Sequence, residues 1–309
     1  MMLDLLGNAQ LWASTLTLAI PIAYAALGGV FSERAGILNI ALEGEMLIGA
    51  FVAVAVSAWT HDVWVGLAAA AVAAALTAAL LGWAAVYLRA DHIIAGLAVN
   101  VLATGLTGFF FNTIYGPMGT PTTTPTVPLW RIPLLDRVPF LGQVLGIHEA
   151  LVYVFFAILI ASNWLMFQTP LGLRWRAVGE YPRAADAAGV AVLRVKFWAV
   201  VAAGAVAGIG GADLSVGILN SFSPDMVAGR GFIALAAVIF GAWYPWGGFW
   251  ASALFGFATA LSFQLQGVVG LSKNLLLMLP YAVTVMALAG VVGRTSPPAA
   301  DGQPYDPGR

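Results

Sequence analysis

An all-α, polytopic transmembrane helical bundle is the fold class the sequence predicts, and three observations carry it. Of 309 residues, 61% are hydrophobic and only 9% are charged, against about 25% charged in a water-soluble globule. Mean hydropathy is +0.91. Apolar runs long enough to cross a hydrocarbon core of about 30 Å recur from end to end, separated by short polar joints.

The most basic joint sets the orientation. The loop 171–194, with the start of the next span, holds Arg174, Arg176, Arg183, Arg194 and Lys196, five of 13 basic residues. Short Lys/Arg-rich loops stay cytoplasmic. Within the loop Pro182 opens a short polar helix, the run RAADAA propagates it, and Gly189 closes it.

The spans follow in order. Ala9 to Val30 carries Pro21, an expected kink, and Ser32-Glu33-Arg34 is expected to break the run. A second span ends near Trp59. The third, Val63 to Leu88, is packed with alanine, which suits the inside of a bundle. The fourth, Ile93 to Tyr115, carries Asn100 and Asn112. Gly116 to His148 holds six of the 16 prolines and the tract TPTTTPT. This density disfavours regular helix and predicts an extracytoplasmic loop over 116–148, with Trp130 and Phe140 at the interface. Ala150–Phe167 and Val195–Ile218 flank the basic loop. Gly231–Trp243 is short for a span, Gly247–Leu265 is not, and Lys273–Val292, bent at Pro280, is the last. The total is about nine crossings, with the pair around Pro245 alternatively a re-entrant hairpin. Counted outward from the basic loop, the N-terminus lies outside and the C-terminus in the cytoplasm. Residues 1–292 form one transmembrane domain, and 293–309 reads as a disordered cytoplasmic tail. Ala23-Tyr24-Ala25 imitates a cleavage site, but the preceding residues are not those of a signal peptide, having Asp4 and no basic residue.

Few residues carry chemistry, and catalysis is not expected of them. Zero cysteines exclude disulfides and thiol chemistry. There is no GxxxxGK[ST] loop, HExxH or GxSxG, and His61, His92 and His148 are isolated at loop edges. No metal or cofactor is implied, and a net charge of −1 gives no basis for a nucleic-acid partner. Glu43 and Glu45 enter the second span two residues apart, so they point to nearly opposite faces. One of them either caps or salt-bridges Arg34 or a neighbouring helix near the cytoplasmic face, or belongs to a translocation pathway, for which Glu43 is the candidate. Asn39 and Asn100 either hydrogen-bond between helices or line a polar cavity. Asp213 and Asp225 lie toward the outer side, Asp225 as a turn or helix cap. Mid-membrane acids do not cluster, so uphill transport would draw its energy from a partner.

Three stretches carry a resemblance: FSERAGILNIALEGEMLIGAF, LRWRAVGEYPRAADAAGV and AGRGFIALAAVIFGAWYPWGG. Together, and collinear from about Ile20 to Gly293, they resemble permease subunits of ATP-driven nucleoside importers, in the larger family of ribose and branched-chain amino acid permeases. The resemblance implies a bacterial inner-membrane importer for nucleosides, or alternatively ribose or another simple sugar. Its partners would be cytoplasmic ABC ATPase subunits, a second permease (copy or paralogue) and an extracytoplasmic substrate-binding protein. It also implies that Gly179, Glu180, Arg183, Ala184, Ala185, Asp186 and Gly189 form the loop that couples to the ATPase. A self-sufficient secondary transporter is the competing class, for which only Glu43 and Glu45 offer ion-coupling groups.

Overall fold

The structure, a computed structural model, describes residues 7–116, 119, 125–133, 139–266, 275–276, 278–290 and 296–307. Polar residues start the helices where the sequence places joints. Asn8 accepts from Gln10 N–H to open α1 (Ala9–Arg34), and Asp62 accepts from Trp64 N–H to open α3 (Val63–Gly82), after α2 (Leu42–Thr60). Asp91 accepts from the N–H groups of Ile93 and Ile94 at the head of α4 (His92–Tyr115). Each cap satisfies helix-terminal donors that lipid cannot.

Between α4 and α6 (Ala150–Gln168) lies the proline-rich segment. Its described part is not wholly irregular. β1 (Leu129–Arg131) pairs antiparallel with β2 (Ile147–Glu149), Trp130 opposite His148, around the seven-residue helix α5 (Pro139–Leu145). Here proline opens a helix at its first turn instead of preventing one. The segment is anchored where Val127 N–H donates to Val216 O. The chain continues through α7 (Pro170–Glu180), α8 (Pro182–Ala187), α9 (Val192–Ala212), α10 (Arg230–Phe240), α11 (Pro245–Leu265) and α12 (Leu279–Gly290). Both α3 and α9 end in a π-helical turn, Trp83–Tyr87 and Asp213–Ile218.

Seven of the described helices are long and apolar enough to cross a membrane: α1, α2, α3 with its π-turn, α4, α6, α9 with its π-turn, and α11. The chain is a multi-pass membrane protein. α10 has 11 residues, too few to span alone, and the last expected crossing is described only in part, as residues 275–276 and 278–290 with α12. Lys273, expected to open the last span, lies outside the described residues, as do Arg137, Arg294 and Arg309.

Helix α1 is the axis: α9 and α11 pack along it, α10 beside it, and α2 and α3 pack on each other and on α9. Small residues allow the approach. Ala70, Ala74 and Ala78, four apart on α3, are fully buried against Gly204 and Gly208 of α9. A β-carbon on either glycine would sit 2.3 Å from an alanine methyl. The alanine-rich span therefore packs along one face, while Val72, Leu76 and Leu80 look outward. Two sequence expectations are corrected. Ser32, Glu33 and Arg34 do not break α1, which runs through Pro21 to Arg34. Residues 296–307, expected to be disordered, lie in turns against the loop-bearing end of the bundle. The first break comes instead over Ala35–Ala41.

Candidate translocation and coupling site

The three sequence stretches meet around the end of α1. Trp243 Nε1–H donates to Glu33 Oε2, and Arg34 Nε–H donates to Trp243 O at 2.7 Å. Ala242 and Trp243 both have positive φ, 52° and 57°. Neither side chain favours that region, so the Glu33–Arg34 clamp holds a turn the local sequence would not keep. Arg34 also lies over the Tyr244 ring at 4.7 Å. This turn joins α10 to α11.

The far end of α10 is fixed by Glu43. Its two carboxylate oxygens accept from Gly229 N–H and Gly231 N–H, each at 2.7 Å. A carboxylate there satisfies unpaired donors and matches the positive end of the helix. Glu45 points elsewhere and is fully buried, accepting from Asn39 Nδ2–H at 3.1 Å. Asn39 Oδ1 accepts from Ala41 N–H. Asn100 Oδ1 accepts from Gly44 N–H at 2.8 Å, and its Nδ2–H donates to Ile40 O at 2.8 Å. Asn39, Glu43 and Asn100 thus each spend polar atoms on the chain itself. They frame the non-helical entry to α2 and the start of α10. Asn100 is eight residues into α4, about 12 Å from its head at 1.5 Å per residue. Since Asn100 touches Gly44 and Glu43 touches Gly229, α10 begins well inside the bundle and runs toward the loop-bearing end.

The segment 219–229 that leads into α10 is irregular. Phe222 is buried against Phe51 and Phe111, while Asn220, Ser223, Pro224, Asp225 and Ala228 are exposed. Asn220, Asp225 and Ala228 have positive φ. At the opposite end, β2 and α1 border a cavity of about 540 Å³ with Gln10, Ser14, Thr17, His148, Glu149 and Gln264 in its wall. Burial pushes the Glu149 carboxyl up to about 7.

The basic loop folds as two helices. Thr169 caps α7 by accepting from Gly172 N–H, with Pro170 at its first position. Trp175 Nε1–H donates to Phe31 O at 2.9 Å, and Gly179 lies so close to Arg34 O that a β-carbon would be 2.2 Å from it. α7 is thereby braced on the end of α1. α8 is six residues long, opened by Pro182 and closed past Ala188 by Gly189 at φ +82°. Ala185 is its buried contact, packed with Val178, Val192 and Tyr305. Arg183, Ala184 and Asp186 are exposed. Lys196, counted with the loop in sequence, is instead buried, donating to Gly36 O at 3.2 Å. Among the described residues no three His, Asp or Glu side chains gather as a metal site.

Sequence reasoning named Glu33 and Arg34 but did not connect them with Trp243. Their signal was a charged pair and a tryptophan in two separate stretches of the same resemblance, but nothing in either says they touch.

A model of the family described as branched-chain amino acid transport system / permease component matches residues 11–288. The chain belongs to that family. As a permease component it is a transport subunit and not an enzyme. It is 38% identical over 307 residues to the guanosine ABC transporter permease protein NupQ of Bacillus subtilis, covering 96% of each. It is 36% identical to the nucleoside ABC transporter permease protein NupC of Lactococcus lactis, covering 95% of each. It is 32% identical to the glucose ABC transporter permease protein TsgC13 (named as putative) of Haloferax volcanii, covering 84% of this chain and 79% of the relative. No solved structure matches.

Proposed function

We propose that this chain is the permease subunit of an ATP-driven importer of nucleosides. The observation that carries the reading is end-to-end similarity, above one third identity, to permeases named for guanosine and nucleosides. The relative named for glucose covers less of both chains at lower identity, and makes a simple sugar the second reading. The ATPase subunits, a second permease and an extracytoplasmic binding protein are the partners this requires. α8 is the helix that docks on the ATPase: it is short, exposed and braced through α7 onto α1. The loop-bearing end then faces the cytoplasm, and the polar cavity beside β2 faces outward as the mouth of the route.

The route itself follows residues 219–229. Irregular backbone is tolerated at membrane depth only where it is covered by protein or lines a watery cavity. Ser223 and Asp225 are exposed on this segment in the single chain. A second permease facing it across a solute path supplies both conditions. Asn39, Glu43 and Asn100 hold the frame from which the segment hangs.

Uptake of labelled guanosine by the reconstituted complex, chased separately with unlabelled nucleosides, ribose and glucose, tests the reading. Nucleosides are expected to compete and free sugars not to. Competition by sugars alone overturns it.

A further inference from the structure

The described part of the C-terminal segment touches five helices or the joints beside them. Ala300 N–H donates to Gly179 O at 2.9 Å, and Ala299 N–H to Glu180 Oε2 at 3.2 Å, just before α8. Tyr305 O–H donates to Asp186 Oδ2 at 2.8 Å, within α8, and its ring joins the Val178–Ala185–Val192 cluster. Asp306 pairs with Arg89, in the joint before α4, at 3.0 Å. Asp301 lies beside Lys196 of α9. Ala300 also sits against Gly36, just past the end of α1, where φ is +81° and a β-carbon would meet Ala300 O at 2.9 Å.

α8 needs such a hold. It has six residues, one of them buried, with a bend at Tyr181 before it and the left-handed Gly189 after it. A helix this short is not self-supporting, and a force applied to it would be absorbed by the two bends. We propose that residues 298–306 are a strap that positions α8 against the bundle, so that movement of a docked ATPase reaches α9, the end of α1 and the head of α4. The proposal rests on the reading of α8 as the docking helix. The strap residues act through α8 and need not touch solute or nucleotide.

The test uses the complete importer in proteoliposomes. A chain stopped before Pro298 is compared with the full chain for solute moved per ATP hydrolysed. Coupling energies between sites of 1–3 kcal/mol correspond to about five-fold or more. The ratio is expected to fall by at least that, with basal ATP hydrolysis kept within about two-fold. An unchanged ratio overturns the strap. Should the shortened chain not assemble, Tyr305→Phe and Asp306→Arg are read instead. A lowered ratio in Asp306→Arg that Arg89→Asp restores supports the proposal, and unchanged ratios in both variants overturn it. The cysteine-free chain also allows Ala184→Cys to be crosslinked to the ATPase. Absence of that crosslink in the otherwise unaltered complex overturns the docking reading, whereas its persistence alongside an unchanged ratio overturns only the strap.

Discussion

Helices α1 and α4 are similarly apolar and similarly long, yet they sit in the molecule in opposite ways. α1 is buried on nearly every side, from Ala19 to Val30 without a gap. α4 is buried along one stripe only: His92, Gly96, Val99, Ala103, Thr107 and Phe111, three or four residues apart. Its other faces expose Ile94, Val101, Phe109 and Ile114. Hydropathy separates membrane from water, not centre from edge, because lipid is as welcoming to leucine as another helix is. What marks the centre is smallness at the crossing points.

The sharpest way to break this comparison is at Gly28 of α1, where a β-carbon would lie 2.5 Å from Ala203 O of α9. The neighbour is backbone and cannot turn aside, so Gly28→Val should cost about 3 kcal/mol or more. Loss of the folded species in size-exclusion chromatography from detergent is the expected result. A normal yield would mean that α1 and α9 are not in contact.

Next in size is Asn100→Leu, on the inner edge of α4. It leaves Gly44 N–H and Ile40 O without partners, each worth about 1–3 kcal/mol when buried. The melting temperature should fall, while solute transport per assembled complex stays normal. Normal stability with lost transport would instead put this amide on the solute route.

A smaller effect is expected where the C-terminal strap bridges the two helices, at Gly36 past α1 and Arg89 before α4. Burial pushes the Asp301 carboxyl up to about 7, although the Lys196 ammonium beside it pulls the other way. Docking therefore favours the protonated acid. Its contribution is complete below the free value of about 4, declines as pH rises through 7, and is flat beyond. Limited proteolysis of the C-terminus should quicken as pH rises from about 4 to 7 and level off above that, and Asp301→Asn should remove the dependence. Cleavage independent of pH in the unaltered chain would contradict it.

The smallest effect belongs to the open face of α4. A β-carbon added at Gly105 would meet no other atom within 4 Å. Gly105→Ala should leave the stability of the isolated chain within about 0.5 kcal/mol, measured by thermal unfolding in detergent. A large loss would mean that this face is covered within the chain.

Much of the fold was legible because apolar runs and capping residues are local. The long spans start at Asn8, Asp62 and Asp91 within a residue or two of the expected positions. The misread places are those where a distant partner decides. Ser32-Glu33-Arg34 looked like an interruption because three polar residues in lipid are costly alone. Trp243, 210 residues away, accepts that burden for Glu33. The tail looked disordered because it buries little apolar surface. It is held by backbone and side-chain bonds to a surface already formed, which composition does not reveal. Gly189 succeeded for the opposite reason: a left-handed helix end is a local demand, and glycine meets it.

If solute follows the proposed route along 219–229, the start of α10 bears on the charge it can carry. A half-helix that begins inside a bundle points a positive end into its surroundings, and an anionic solute would be drawn to it. Here that end is already neutralised by the Glu43 carboxylate on Gly229 and Gly231. A phosphorylated solute would find those donors taken. An uncharged one, such as a nucleoside without its phosphate, meets neither attraction nor repulsion there. On the proposed route, discrimination against charge would then come from an acid that never needs to touch the cargo.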